Sequence, residues 1–220
     1  MLVKVKVYFR VYFFICIMAI LFSVLDHTVF NKLPNQIRRT LEVGTPLILY
    51  DDQEYLSCID DVLVSNSYVY VLFGRLHLVK VYDTAQNYVC TLIVSDKNSH
   101  GIRAQIYVNE NTLYISAAND IYEFVDNSFV HFYSFKEDAT MRLNISKKEY
   151  DYRNVLDNEA YRYNIKAESI IRSDSNGKES VFYQRSPMYF LCNPFFSWLL
   201  WVLFFLMLSF PTVYAKLTRK

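Results

Sequence analysis

Both ends of the chain are apolar, uncharged and bounded by basic residues, and this limits how the chain can fold more than any motif between them. Residues Phe195–Ala215 make a 21-residue run without a charge, followed by Lys216, Arg219 and Lys220. At a rise of about 1.5 Å per residue such a run matches a hydrocarbon core of about 30 Å. Asn193 supplies a cap and Pro194 a first helical position that needs no N–H. Trp198 and Trp201 near one end, and Tyr214 and Lys216 near the other, are the side chains expected at a membrane interface. Residues Val11–Leu25 form a second uncharged run, preceded by Lys4, Lys6 and Arg10. Its 15 residues extend over about 22 Å. Running it back through Val7, Tyr8 and Phe9 brings in Arg10, whose long side chain can reach an interface. The segment Ser23–His27 has no pair of small residues for cleavage, which favours a retained signal anchor over a removed peptide.

These runs predict transmembrane helices at both ends: a basic tail and signal anchor over 1–26, and a C-terminal span over 194–215 with a basic tail at 216–220. The basic flanks place both termini in the cytoplasm and the middle of the chain outside, in a plasma membrane or a secretory-pathway membrane. Arg38, Arg39 and Lys32 run against that orientation, but long translocated domains largely ignore such charges. The lipid bilayer is then the first expected partner.

Between the ends lie about 165 residues, enough for one domain with its own core. Setting aside Asp26 and the six basic residues of the termini leaves 17 Lys and Arg against 21 Asp and Glu. This acidic balance gives no basic stripe for nucleic acid. The chain holds 19 Tyr and 17 Phe but only 4 Gly, a composition suited to pleated, half-buried strands. Segments Tyr68–Phe73, Leu76–Tyr82 and Tyr88–Val94 read as strands, joined by a turn at Gly74-Arg75 and the turn formers Asp83–Asn87. The arrangement returns at Leu113–Ser116, Ile121–Val125 and Phe129–Tyr133, with turns near Ala117–Asn119 and at Asp126–Ser128. A third, looser copy spans Tyr163–Gln184, where Asn176-Gly177 predicts a hairpin with two residues at positive φ. Residues 27–45 read as a connector ended by Gly44-Thr45-Pro46. Lys136–Glu159 reads as a charged stretch of helix or long loop.

Asp83 and Asp126 are 43 residues apart, and repeats of this length with several short strands per unit are a sign of propeller blades. Val81-Tyr82-Asp83 and Phe124-Val125-Asp126 resemble the aspartate-containing turns of NHL-type and related six-bladed β-propellers. The resemblance covers about Ile59–Gln184, with units at about 58–94, 106–135 and 161–185 inside a β domain over 46–190. Glycine is scarcer here than in that family, and three units cannot close a ring that needs at least four blades. The expected fold is therefore mainly β, a partial propeller-like set of antiparallel blades with two terminal transmembrane α-helices; a nonrepetitive β-sandwich is the alternative.

Little in the sequence points to chemistry. Cys16, Cys58, Cys90 and Cys192 lack CxxC spacing, so no zinc or redox site is expected. Cys58 and Cys90 could join as a disulfide in an oxidising compartment, although burial as thiols in adjoining strands is the simpler reading. His27, His77, His100 and His131 are scattered, and no cofactor is expected. The pairs Asp51-Asp52 and Asp60-Asp61 invite a glycosidase reading only if one acid of each pair meets the other across a cleft. Asp174–Glu179 lacks the ligand ladder of a calcium loop. Asn144-Ile145-Ser146 matches the N-glycosylation sequon. No catalytic constellation emerges, which favours an extracytoplasmic binding or scaffold module within a membrane complex, acting on an unknown protein partner or as a homo-oligomer. The alternatives are an envelope hydrolase of glycans or peptides, and an accessory subunit of a transporter or secretion complex.

Overall fold

The computed structural model describes residues 2–30, 32–65, 67–95, 97, 102–109, 111–118, 120–134, 161–166, 168–185, 189 and 198–206, with side chains from residue 11 onward, those of 26–28 excepted. It divides into two compact units, one made of Met1–Phe30 with Phe190–Lys220 and the other of Asn31–Tyr189.

In the first unit, helix α1 (Leu2–Thr28) runs for 27 residues, and helix α3 covers residues 198–206. Tyr12 stacks on Phe204 with ring centroids 5.6 Å apart, and Trp201 meets Phe204 edge-on at 5.5 Å. These helices correct the transmembrane expectation: among the described residues, no helix is long and apolar enough to cross a membrane. The uncharged part of α1 stops at Arg10 on one side and Asp26 on the other, and its 15 residues rise only about 22 Å. The described part of α3 rises about 14 Å, half of what a bilayer core requires. The two terminal spans, the signal anchor and the membrane localisation are therefore not supported. With them goes the assignment of Arg10, Trp198, Trp201, Tyr214 and Lys216 as interface anchors. Tyr214, Lys216 and the side chain of Arg10 lie outside the described residues.

The second unit is built from antiparallel meanders. A short helix, α2 (Asn35–Thr40), follows Pro34 and is closed by Leu41 N–H donating to Ile37 O. Strand β1 (Leu47–Leu49) then joins a five-stranded sheet with β2 (Asp61–Val64), β3 (Tyr68–Phe73), β4 (Leu78–Asp83) and β5 (Tyr88–Ile93), in the order β1-β5-β4-β3-β2. A four-stranded meander of β6 (Gln105–Asn109), β7 (Thr112–Ala117), β8 (Asp120–Val125) and β9 (Ser128–Tyr133) follows. The third sheet comprises β10 (Tyr161–Lys166), β11 (Ser169–Asp174) and β12 (Glu179–Gln184).

The five-stranded sheet is buried on both faces, which is why its strands read as unbroken apolar runs rather than alternating ones. Its alternate residues enter two different cores. Leu63, Tyr70, Leu72, Val79, Val81, Cys90 and Leu92 meet Ile106, Leu113, Ile115, Tyr122 and Phe124 of the second sheet. Val62, Val69, Val71, Phe73, Leu78, Tyr82 and Ile93 meet Tyr163, Ile170 and Phe182 of the third. The spatial order is thus second, first, third sheet, and β2 lies against both β6 and β10. The third sheet packs on the side of the first that faces away from the second.

The turns differ in chemistry from their sequence reading. Both residues at positive φ in a two-residue hairpin occur at Asp126 (47°) and Asn127 (64°), not at Asn176-Gly177. At the latter only Gly177 is left-handed, at 78°. Gly177 N–H donates to Asp174 O, and Asp174 N–H donates to Lys178 O, giving a type I turn with a bulge. Asp83–Asn87 repeats that geometry with Gln86 at φ 76°. Strand β4 begins at Leu78 rather than Leu76, because Leu76 N–H bonds to Phe73 O and His77 takes φ 52°. Gly74 is required at this turn for space: a Cβ there would stand 2.9 Å from Ala104 O. Asp60 accepts from Gly74 N–H and from Arg103, tying the turn to the segment that leads into β6.

Candidate functional site

Two polar constellations stand out on this framework, one buried and one on the outer face of the second sheet. The buried one lies between the first and third sheets. Period-2 alternation in β4 puts Lys80 on the same face as Leu78 and Tyr82, between Val71 and Thr91 of the neighbouring strands. Its ammonium donates to Asp52 Oδ1 at 2.6 Å and to Glu54 Oε1 at 3.3 Å. Arg185, just past β12, is equally buried. It donates through Nε to Glu54 Oε2 at 3.1 Å and through its two Nη atoms to the carbonyls of Ser57 and Tyr55. Its plane covers the rings of Tyr189 and Phe73, at 3.6 and 5.1 Å. Tyr183 OH also donates to Glu54.

The two cations therefore clasp the segment 52–57 to the sheets. Three of the five guanidinium N–H donors end on Glu54, Ser57 and Tyr55, which makes the cluster a tie between this segment and β12. Its tyrosines respond to burial. Desolvation drives Tyr82 and Tyr183 well above the ordinary phenol value, reinforced at Tyr82 by Tyr183 and Asp52 and at Tyr183 by Glu54. Burial also pushes Tyr88, and Tyr70 in the other core, up to about 12. A phenol whose folded pKa is raised keeps its proton longer in the folded state than in the unfolded state, where it titrates near about 10. Stability should be level up to about pH 9.5 and then fall as pH rises from about 10 to 12, as the unfolded chain loses protons that the folded chain retains. Urea unfolding across that range, paired with tyrosinate absorbance, measures this; unchanged stability to pH 12 would contradict it.

The second constellation lies on the face of the second sheet turned away from the first. Here β6 and β7 alternate cleanly: Ile106, Val108, Leu113 and Ile115 point inward, while Tyr107 and Tyr114 point outward. Strand registry then aligns Tyr107, Tyr114, Glu123 and His131 in one row across all four strands. Tyr114 OH donates to Glu123 Oε1 at 3.3 Å and Tyr133 OH to Oε2 at 2.6 Å. Tyr107 OH donates to Gln105. The rings of His131 and Tyr133 meet edge-on at 4.4 Å. Glu123 is half-buried, and among the described residues its oxygens take tyrosine hydroxyls and no cation. At the sheet's margin, β9 exposes Phe129 (37 %) and Val130 (55 %).

The residues singled out in the sequence fall outside these constellations, apart from Asp52 and His131. Cys90 is a buried thiol pushed up to about 11 by desolvation, and Cys58 Sγ donates to Tyr189 O, so no disulfide joins them. Asp52 serves Lys80 whereas Asp60 serves Gly74 and Arg103, so the paired acids form no shared dyad. Asp174 Oδ1 accepts from Asn176 N–H and Lys178 N–H and so acts as a turn former. Among the described residues no three His, Cys, Asp or Glu side chains converge in a way that could hold a metal ion. Asn144, His100 and Cys192 lie outside the described residues. Sequence reading missed Lys80, Arg185 and Glu123. Lys80 alone left a signal, as a lone charge at an inward position of Leu78–Asp83. No protein-family model matches the chain, and no curated protein is significantly similar to it.

Proposed function

We propose that the β domain is a protein-binding module that receives an extended segment of a partner protein along β9. The observation supporting this is the character of that strand. Among the described residues it ends its sheet, carries no Lys, Pro, Asp or Glu, and exposes Phe129 and Val130. A strand in this position is a template for strand addition. The other edges differ. Strand β1 is three residues long, β2 lies against β6 and β10, and β12 carries Glu179 paired with Lys166 at 2.7 Å. Short length, a covering element and charge are common ways of closing an edge; among the described residues β9 is six residues long and uncharged, and its one irregularity is a bulge at Val130.

The test places a photo-crosslinking side chain at Val130 or, as a control, at Val181, which is 48 % exposed on β12. The full chain in its native cells should give a discrete protein adduct from position 130 and none from 181. Val130→Lys should abolish partner binding while changing folding stability by less than about 0.5 kcal/mol. Equal labelling at both positions, or binding that survives Val130→Lys, contradicts the reading. An adduct of twice the chain's mass assigns the edge to self-association instead.

A further inference from the structure

Glu123 is a carboxylate beside aromatic rings, oriented by two hydroxyls and, among the described residues, taking no cation. We propose that it selects partners: the segment added to β9 carries a lysine or arginine whose charge is taken by Glu123 and the rings around it. The inference rests on the edge reading above and names what that edge prefers.

Three observations carry it. First, the row Tyr107–Tyr114–Glu123–His131 ends at β9, so an added strand places its own residue next in line, beside His131. That residue stands two strand spacings from Glu123, about 9.6 Å, a gap that a long basic side chain and a glutamate close together. Second, Tyr114, Tyr133 and His131 bring ring faces and edges around the carboxylate. A cation gains from ring quadrupoles as well as from the charge, whereas an acidic residue at the same place meets Glu123 head-on. Third, Tyr114 and Tyr133 hydroxyls fix the carboxylate in advance, which reduces the ordering cost of binding. The acidic balance of the central part of the chain adds long-range attraction for a basic segment.

The test uses the purified full chain and two peptides of alternating Thr and Val, one with a central Arg and the other with Gln in its place. Titration calorimetry at low salt should show the Arg peptide binding about tenfold tighter or more. On Glu123→Gln, whose fold is checked by circular dichroism, the two affinities should converge. Equal affinities on the natural chain overturn the selection and leave strand addition standing. Binding of neither peptide overturns both. A preference for Arg that persists in Glu123→Gln overturns the assignment to Glu123. The comparison of peptides on the natural chain needs no variant, so it remains decisive if the substitution fails to fold.

Discussion

Replacing Arg185 with Met should destabilise the domain by about 3–5 kcal/mol, the usual cost of removing one partner from a buried ionic network. The guanidinium side chain is 1 % exposed and satisfies the carbonyls of Tyr55 and Ser57. Methionine fills the volume and keeps contact with Phe73 but donates nothing, so both carbonyls lose their Arg185 donor. Glu168 suffers as well: its side chain is only 11 % exposed, lies 3.9 Å from Arg185 and accepts Ile59 N–H. Lys80→Met should cost less, about 1–3 kcal/mol, because Asp52 and Glu54 are nearly half exposed and can rehydrate. Since both cations bind Glu54, the double variant should cost less than the sum of the two. Urea unfolding followed by far-ultraviolet circular dichroism separates these values. An Arg185→Met chain within 0.5 kcal/mol of the natural one, an error-sized difference by the same scale, would remove the clasp from the account.

Phe124→Ala should be as damaging, at about 3–5 kcal/mol, for a different reason. Phe124 is fully buried between the first and second sheets, opposite Leu113 on β7 and edge-on to Phe129 at 5.8 Å. Truncation removes apolar burial and leaves a cavity that two sheets, fixed by their own hydrogen bonds, cannot close. Phe129 also loses the ring that holds it against the core, so β9 should loosen and Glu123-dependent binding should weaken with it. The same unfolding measurement applies; a loss below about 1 kcal/mol would mean that the two sheets are not packed against each other.

The strands were legible in the sequence because alternation and apolar runs report burial directly. Tyr68–Phe73 and Tyr88–Ile93 appear almost as read, and Leu113-Tyr-Ile-Ser alternates because only one of its faces enters a core. Turn geometry was less legible. Asn176-Gly177 favours two left-handed residues, but Asp174 bonds to the N–H groups of Asn176 and Lys178 and stabilises a longer turn. The order of the sheets was not legible at all, since period-2 patterns state that a strand has two buried faces but not which sheet covers each. The apolar ends were overread: counting uncharged residues does not fix the length of helix they form. The outer site was hidden for a related reason. Glu123, Tyr114 and Tyr133 are nine and ten residues apart and become neighbours only through strand registry. Arg185 meets Tyr55 across 130 residues, which no local pattern reveals.

The reading as a whole turns on β9 being the face at which this protein meets another. Residue-resolved hydrogen exchange on the full chain, with and without the Arg-containing Thr-Val peptide, addresses that directly. Without peptide, the amides of Tyr68–Phe73 and Leu78–Asp83 should exchange slowest, as strands covered on both faces. With peptide, new protection should appear at Ser128–Tyr133 and leave Glu179–Gln184 unchanged. Protection gained at β12 instead, or no change at β9 under saturating peptide, would contradict the account.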